Sequence, residues 1–419
     1  MRVLIVSNHF PINLSTSIHG VHKRLKMFIE AIRDIAEIDF LFYVPSDVST
    51  SNPSVIKTEQ SLSNHFNARI RLFLCQRFDY TKSIAKWRLY FAGAFSFLSQ
   101  PNNISTATIH QVQALESCLC NKPDAIFVHR LSAMSPVLVT RKSLPPIFFD
   151  LDDIEYLAFK RGIRHIQKAH TRLLSYFFLP ALLWGQYRSI RLSDRTFVCS
   201  EVDRRFIVNH YRLKGVVSIP NAVKIPEPQP IASEKALLFI GSYFHKPNVD
   251  AAEFLIKRIW PHIHEALPTA TLIIAGSPSE RIPSYRFDMP GIRFTGFVDD
   301  LDDLYRQSRV VCAPILSGSG TRVKIIEAAA YGKPIVSTVL GAEGIEMNHG
   351  QEIFLYDDPV SFAKACIELL LDPDLCDRIG SAARATVTAK YDKTKIKRLI
   401  QKHFKTGNNN TSDLSFSKP

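Results

Sequence analysis

Between Ser317 and Glu327 the chain places glycines, hydroxyls, two cations and a carboxylate within eleven residues, Ser-Gly-Ser-Gly-Thr-Arg-Val-Lys-Ile-Ile-Glu. A strand-like apolar run closes at Ile315, and a helix is expected to begin near Thr321. Gly318 and Gly320 let backbone N–H groups approach an anion, with Ser319 and Thr321 adding hydroxyls, and a helix N-terminus adds partial positive charge. Arg322 and Lys324 bring two full charges to the same place. Glu327 lies three residues beyond Lys324 and neighbours it on a helix. A carboxylate there suits a ribose diol, because it accepts two hydroxyl hydrogen bonds. The pattern fits a nucleoside diphosphate; it also fits a plain glycine turn followed by a surface Lys–Glu pair.

Such a loop must be held by a sheet. In the first half, apolar runs at Arg2–Ser7, Ile38–Val44, Arg69–Cys75, Ala125–Arg130, Ile147–Leu151, Arg195–Ser200 and Val216–Pro220 read as strands. In the second half the runs are Ala236–Gly241, Thr271–Gly276, Ile292–Phe297, Val310–Ile315, Pro334–Thr338 and Glu352–Tyr356. Amphipathic stretches lie between them; Val21, Leu25, Phe28, Ile29 and Ile32 repeat at helical spacing. Strand–helix alternation predicts α/β architecture, two Rossmann-like doubly wound parallel sheets facing across a cleft, with ligands at the carboxyl ends of the strands. Ile219–Ile231 holds four prolines in thirteen residues, a semi-rigid connector. The expected organisation is a first domain over 1–220, a linker over 221–235, a second domain over 236–390, a C-terminal helix over 391–405 packing back on the first domain, and a disordered tail over 406–419.

The 419 residues are 46% hydrophobic and 22% charged, a globular composition, and seven cysteines rule out a complete disulfide framework. The start of the chain reads as a strand rather than a secretory leader, and Leu173–Trp184 is too short and too interrupted to span a membrane. A cytoplasmic location is expected, with attachment to the inner face of the membrane. Charge is unevenly divided. Residues 1–230 hold 29 Lys and Arg against 17 Asp and Glu, and residues 231–419 hold 23 against 22. The positive field of the first half points to an anionic partner: nucleic acid, a membrane surface or a phosphorylated substrate. Arg77–Phe91 and Leu173–Trp184, the latter followed by Arg188 and Arg191, both combine bases with aromatics as a bilayer interface favours. The first is the better membrane candidate, since the second also reads as a helix packed inside its domain.

The run Gly318–Thr338, followed by Gly341-Ala-Glu-Gly-Ile345, resembles the donor site of the retaining, two-domain (GT-B) glycosyltransferases of family 4. Phe239-Ile-Gly-Ser242, Lys246-Pro-Asn-Val-Asp250, Leu272–Gly276 and Phe294-Thr-Gly-Phe-Val298 stand in the family's order, and Phe197–Asp203 and Ile219–Val223 resemble the end of its first domain. The likeness is specific over roughly 195–390 and loose before that. It implies transfer of a hexose-like sugar from a nucleotide diphosphate sugar to a hydroxyl with retention, in cell-surface polysaccharide or glycolipid synthesis. The basic first half points to a glycan or lipid-linked precursor as acceptor, and the resemblance implies no cofactor or metal. Arg322 and Lys324 would hold the diphosphate, Gly318–Thr321 and Gly241–Ser242 would line the donor, Glu327 the ribose and Gly296, Phe297 and Val298 the base. Gly20 would offer backbone N–H groups near the diphosphate, and His129 would face the transferred sugar; His129 reads equally as a satisfied histidine at a strand end. Two positions depart from the pattern. Ser319 stands where the family carries a glutamate eight residues before Glu327, and the first-domain glycine pair is reduced to His19-Gly20. Lys246 sits one place from a further basic position.

Asp150-Leu-Asp-Asp153 superficially offers metal carboxylates but belongs to no complete ligand set. It reads as an acidic loop whose Asp152 or Asp153 touches the acceptor. No Walker loop, Gly-x-Ser-x-Gly elbow or full dinucleotide fingerprint is present. A nucleotide-sugar epimerase on the same architecture would need acids and bases converging on the sugar, and no such cluster is evident. A nucleic-acid binder would explain the basic half, but no recognised nucleic-acid motif accompanies it.

Overall fold

The computed structural model describes residues 1–9, 20–77, 107–164, 166, 168–228 and 232–407. Contacts divide the chain into two units, residues 1–219 with 397–419, and residues 220–396.

The first unit is built on a seven-stranded parallel sheet of order β3-β2-β1-β4-β5-β6-β7. Its strands are β1 (Arg2–Ser7), β2 (Glu37–Val44), β3 (Ile70–Gln76), β4 (Ala125–His129), β5 (Ile147–Asp152), β6 (Arg195–Val198) and β7 (Val216–Ser218). Alternate residues feed opposite faces, as the two-residue strand period requires. Leu4, Val6, Leu41, Tyr43, Ile126 and Val128 enter one apolar cluster. On another set of positions Phe127, Phe148 and Phe197 surround Phe404, whose ring lies 4.3 Å from that of Phe148. Phe404 belongs to the helix Lys393–Gly407, whose Gln401 amide also donates to the Ala31 carbonyl at 3.0 Å. The residues that separate the two units are therefore crossed at 219/220 and again within that helix, at 396/397.

The second unit carries a six-stranded parallel sheet of order β10-β9-β8-β11-β12-β13. Its members are β8 (Ala236–Ile240), β9 (Thr271–Ala275), β10 (Ile292–Gly296), β11 (Val310–Ala313), β12 (Ile335–Ser337) and β13 (Phe354–Leu355). Both faces are covered: Leu237, Phe239, Leu272 and Ile274 pack on one side, and Ala236, Leu238, Ile273 and Ala275 on the other. The strand expected over Glu352–Tyr356 shrinks to two paired residues at the sheet edge. The helix expected near Thr321 starts at Val323 and runs to Ala330, because Arg322 keeps an extended backbone (φ −85°, ψ 100°) as its N-cap.

Basic–aromatic segment Arg77–Phe91 lies outside the described residues beyond Arg77, as does the tail beyond Gly407. Leu173–Trp184 sits in the long helix Ala169–Leu192. Its inner positions Ser175, Phe178, Ala181 and Leu182 are buried, yet Leu173 (62%), Tyr176 (47%), Phe177 (61%) and Trp184 (43%) stand out to solvent. Those four share one helix stripe. The helix packs within its domain by one side only: it is apolar on both sides and buries one.

Candidate active site

In the second unit the chain order reverses between β8 and β11, with strands added outward on either side. Loops leaving the carboxyl ends of these two strands diverge there, the usual place for a ligand crevice in an open parallel sheet. Gly241 and Ser242 follow β8, and Ser317–Gly320 follows β11. Gly318 (φ 105°) and Gly320 (φ 77°) occupy the left-handed region that a side chain disfavours. Gly276, at the end of β9, has a second reason: a Cβ there would sit 1.7 Å from the Gly241 carbonyl oxygen. Close backbone approach thus fixes the β8 turn against its neighbour.

Arg322 folds back over the loop it follows, its guanidinium donating to the Gly320 carbonyl. Its second contact, to the Ser317 carbonyl, is long at 3.5 Å. The charge is thereby held beside the glycine N–H groups. Lys324, half-buried, donates to Asn248 Oδ1 at 3.0 Å and lies over the Phe239 ring at 4.5 Å. Burial first and the Arg322 charge second push its ammonium down to about 7, against the opposing pull of Glu327. Asn248 completes the link by donating to the Ser242 carbonyl at 2.9 Å. Asn221 donates to Thr321 Oγ1 at 2.7 Å, joining the start of the connector to the glycine loop. Sequence reasoning missed both asparagines as functional; the only signal was their place in the Lys246–Asp250 and Ile219–Val223 segments.

Other expected residues fall less centrally. Lys246 is 76% exposed at its side chain and pairs with Asp250 one turn along its own helix, so Asn248 is the member of that segment that reaches the cation. Gly296 ends β10 in the left-handed region (φ 66°), with open space around it, and Phe297 beside it is 40% exposed. Val298 packs against the second unit's core, and Glu327 lies on the helix Val323–Ala330 after Lys324.

In the first unit, Gly20 opens the helix Gly20–Ile32. Near the carboxyl ends of three neighbouring strands lies a polar row, because Ser7 registers with His129 and His129 with Asp150. All three are fully buried. Arg24, also buried, forks onto Asp150 (Nη2–Oδ1 2.7 Å, Nε–Oδ2 3.1 Å), approaches Asp152 at 3.2 Å and donates to the Ile219 carbonyl at 2.9 Å. Arg130 pairs with Asp152 at 2.8 Å, and both residues hold positive φ (71° and 62°). Non-glycine residues in that region are held there by their surroundings, here by each other. Burial raises the Asp150 carboxyl to about 6 while Arg24 pulls against it.

Asp152, expected to touch an acceptor, pairs with Arg24 and Arg130. Asp153 lies 3.9 Å from Arg130 and accepts from the Cys199 thiol at 3.6 Å. Asp152, Asp153 and Cys199 are close enough together to share an ion. Two guanidinium groups already balance the carboxylates, and burial keeps the Cys199 thiol protonated, so the donor set suits arginine pairing better than a metal.

Comparison with known proteins agrees with this geometry. The two parallel sheets place the chain among GT-B glycosyltransferase folds. Sucrose-phosphate synthase from Thermosynechococcus elongatus superposes with a TM-score of 0.69 at 14% identity, covering 97% of this chain and 98% of that one. Anabaena HepE, solved in complex with UDP-glucose, gives 0.63 at 14% identity over 97% and 100%. Residues 234–372 match the family model of the group 1 glycosyl transferases, so the second unit carries a domain of that family. Among curated proteins, the phosphatidyl-myo-inositol mannosyltransferase of Mycolicibacterium smegmatis is 29% identical over 179 residues, 41% of this chain and 45% of the relative. An uncharacterized 44.6 kDa protein of the Klebsiella pneumoniae cps region is 24% identical over 38% of this chain and 43% of its own. The chain thus spans about half the length of the curated relatives it matches.

Proposed function

We propose that the protein transfers a sugar from a nucleotide diphosphate sugar to a hydroxyl acceptor with retention, without a metal. The observation that carries this reading is the β11 loop, where Gly318, Gly320, Arg322 and Lys324 converge beside the β8 turn within a group 1 glycosyl transferase domain. In the step proposed, the bond between the anomeric carbon and the diphosphate oxygen breaks, and that oxygen leaves with the electron pair. Arg322, Lys324 and the glycine N–H groups stabilise the developing charge. The acceptor oxygen bonds to the anomeric carbon on the same face and yields its proton to the departing diphosphate. Glu327 holds the ribose, the Gly296–Val298 turn the base, and Gly20 and His129 serve the diphosphate and the sugar. Thermal-shift screening against UDP-, GDP-, ADP- and TDP-sugars, followed by anomeric NMR of the product, tests the reading. No stabilisation by any of them removes it; turnover without an acceptor favours an epimerase.

Lys324 supplies a pH signature. Its ammonium is charged below about 7 and largely neutral above, so UDP binding at about pH 8 must draw a proton to restore the charge. Calorimetry in buffers of different ionisation enthalpy is expected to show uptake approaching one proton. Affinity should fall by up to about tenfold per pH unit above 7. Lys324→Met should abolish the uptake; a wild type that takes up none would remove this role.

We further infer a cytoplasmic protein attached to an anionic membrane face, where a lipid-linked or cell-surface acceptor would be met. No helix among the described residues is long and apolar enough to cross a membrane. The supporting surface is the outer stripe Leu173, Tyr176, Phe177 and Trp184. Arg172 and Arg191 are exposed at its two ends, and residues 155–192 hold seven Lys and Arg against one acid. Replacing Arg172 and Arg191 by Gln is expected to weaken binding to phosphatidylserine vesicles by about 1 kcal/mol per charge. Equal binding to neutral and anionic vesicles would defeat the electrostatic account.

A further inference from the structure

Lys324 finds its partners on and just after β8 rather than on its own helix. Its Nζ donates to Asn248 Oδ1 at 3.0 Å and stands 4.5 Å from the centre of the fully buried Phe239 ring. Neither partner carries a charge. Among the described residues no carboxylate lies within ion-pair distance of this ammonium, and Glu327, three residues along the helix, attracts it only from further away. An ammonium withdrawn from water is normally paired with a carboxylate, because its charge is otherwise costly to bury. An amide oxygen and a ring face orient the group but leave its charge unbalanced.

The amide is held in place by its own surroundings. Its Nδ2 donates to the Ser242 carbonyl at 2.9 Å, so the group sits only one way. Reversed, it would set N–H against the ammonium and oxygen against a carbonyl. Asn248 also needs the bare backbone of Gly241, where an added Cβ would meet Asn248 Cβ and Cγ at 3.1 Å each. The β8 turn thus makes room for this side chain and then fixes its direction.

We propose that Asn248 is a positioning residue that aims Lys324 with an uncharged acceptor, leaving the ammonium to be balanced by the anion the site receives. That the anion is a donor diphosphate rests on the function proposed above; the need for a neutral acceptor does not. Aspartate is nearly the same size and would grip the lysine harder, through a charge-assisted hydrogen bond. It would also satisfy the ammonium in advance and repel an arriving diphosphate. The stronger grip would therefore weaken anion binding.

Full-length protein carrying ¹³Cε-lysine, titrated by NMR without ligand, tests the proposal. The Lys324 signal is identified by its loss in Lys324→Met. Its midpoint is expected at about 7 in the wild type. Asn248→Asp should raise its proton affinity about 10–1000-fold, the usual effect of an opposite charge so close. Asn248→Ala should lower it, because the ammonium loses its acceptor. UDP, used as the probe anion at pH 7, should bind Asn248→Asp at least about tenfold more weakly than the wild type, from like-charge repulsion. A residue that merely packs would not shift the midpoint in opposite directions in the two variants. A wild-type midpoint near the ordinary lysine value overturns the proposal. So does an Asn248→Asp variant with an unmoved midpoint or with wild-type UDP affinity. If that variant fails to fold, the alanine variant decides: a lowered midpoint supports the role and an unchanged one rejects it. The titrations need no ligand, so a wild type that binds no UDP removes the transferase reading and leaves the midpoints to judge Asn248.

Discussion

Arg322→Met and Lys324→Met are each expected to cut transferase turnover about 100–1000-fold, corresponding to about 2.7–4 kcal/mol of lost transition-state stabilisation. Methionine keeps an apolar stem and deletes the charge. The loss should fall more heavily on kcat than on donor affinity, because negative charge on the diphosphate grows as the glycosidic bond breaks. Arg322→Met should also loosen the loop itself, since the guanidinium holds the Gly320 carbonyl. Glu327→Gln should behave differently, raising KM for the donor first as the ribose hydroxyls lose a charged acceptor. Steady-state kinetics on the three variants, with melting temperatures as a folding control, separates the cases. Surface residues with no role would each cost within about 0.5 kcal/mol of stability and leave turnover intact. Near-native turnover in both cation variants would reject the β11 loop as the donor site.

Arg24→Met is expected to destabilise the first unit by about 3–5 kcal/mol, the cost of leaving a buried charge without its partner. The guanidinium forks onto Asp150, approaches Asp152 and satisfies the Ile219 carbonyl, so its removal strands the Asp150 carboxylate and one acceptor, while Asp152 keeps Arg130. The sign of the pH effect follows. Without Arg24, burial is opposed only by the Arg130 charge and raises the Asp150 carboxyl further above its unfolded value. A carboxyl raised on folding disfavours the fold where it must ionise, and the penalty lifts as pH falls through its folded pKa. The deficit in urea denaturation should therefore be largest near pH 8 and shrink towards pH 5. Asp150→Leu placed in the Arg24→Met background should recover part of it, because the stranded charge is gone. A loss below about 0.5 kcal/mol would show that the pair contributes nothing.

The parallel strands were legible because each is a short apolar run bounded by a turn, and the β11 loop because its glycines and cations are consecutive. Less accessible were contacts that only the tertiary fold creates. Ser7, His129 and Asp150 are more than 120 residues apart at their extremes, and strand register alone makes them neighbours. Arg24 reads in sequence as one base among several on an amphipathic helix; nothing local announces that it is buried. The helix Ala169–Leu192 eluded periodicity for another reason: apolar residues on both sides give no unique inner face, so its solvent-facing aromatic stripe could not be told from its core. Asn248 lay two residues from the lysine that sequence favoured, and on a helix that spacing turns their side chains about 200° apart.

Phe404 closes the aromatic cluster of the first unit from a helix 186 residues past the end of β7 at Ser218 (404 − 218). During synthesis, β1 to β7 emerge well before the segment that covers Phe127, Phe148 and Phe197, whereas everything the second unit needs is contiguous. The later-made unit can therefore complete its core first, inverting the usual amino-to-carboxyl order of domain folding. Until residue 404 clears the ribosome, the earlier-made sheet carries an aromatic face covered only in part, by Phe28, the stage at which a chaperone would have most to hold.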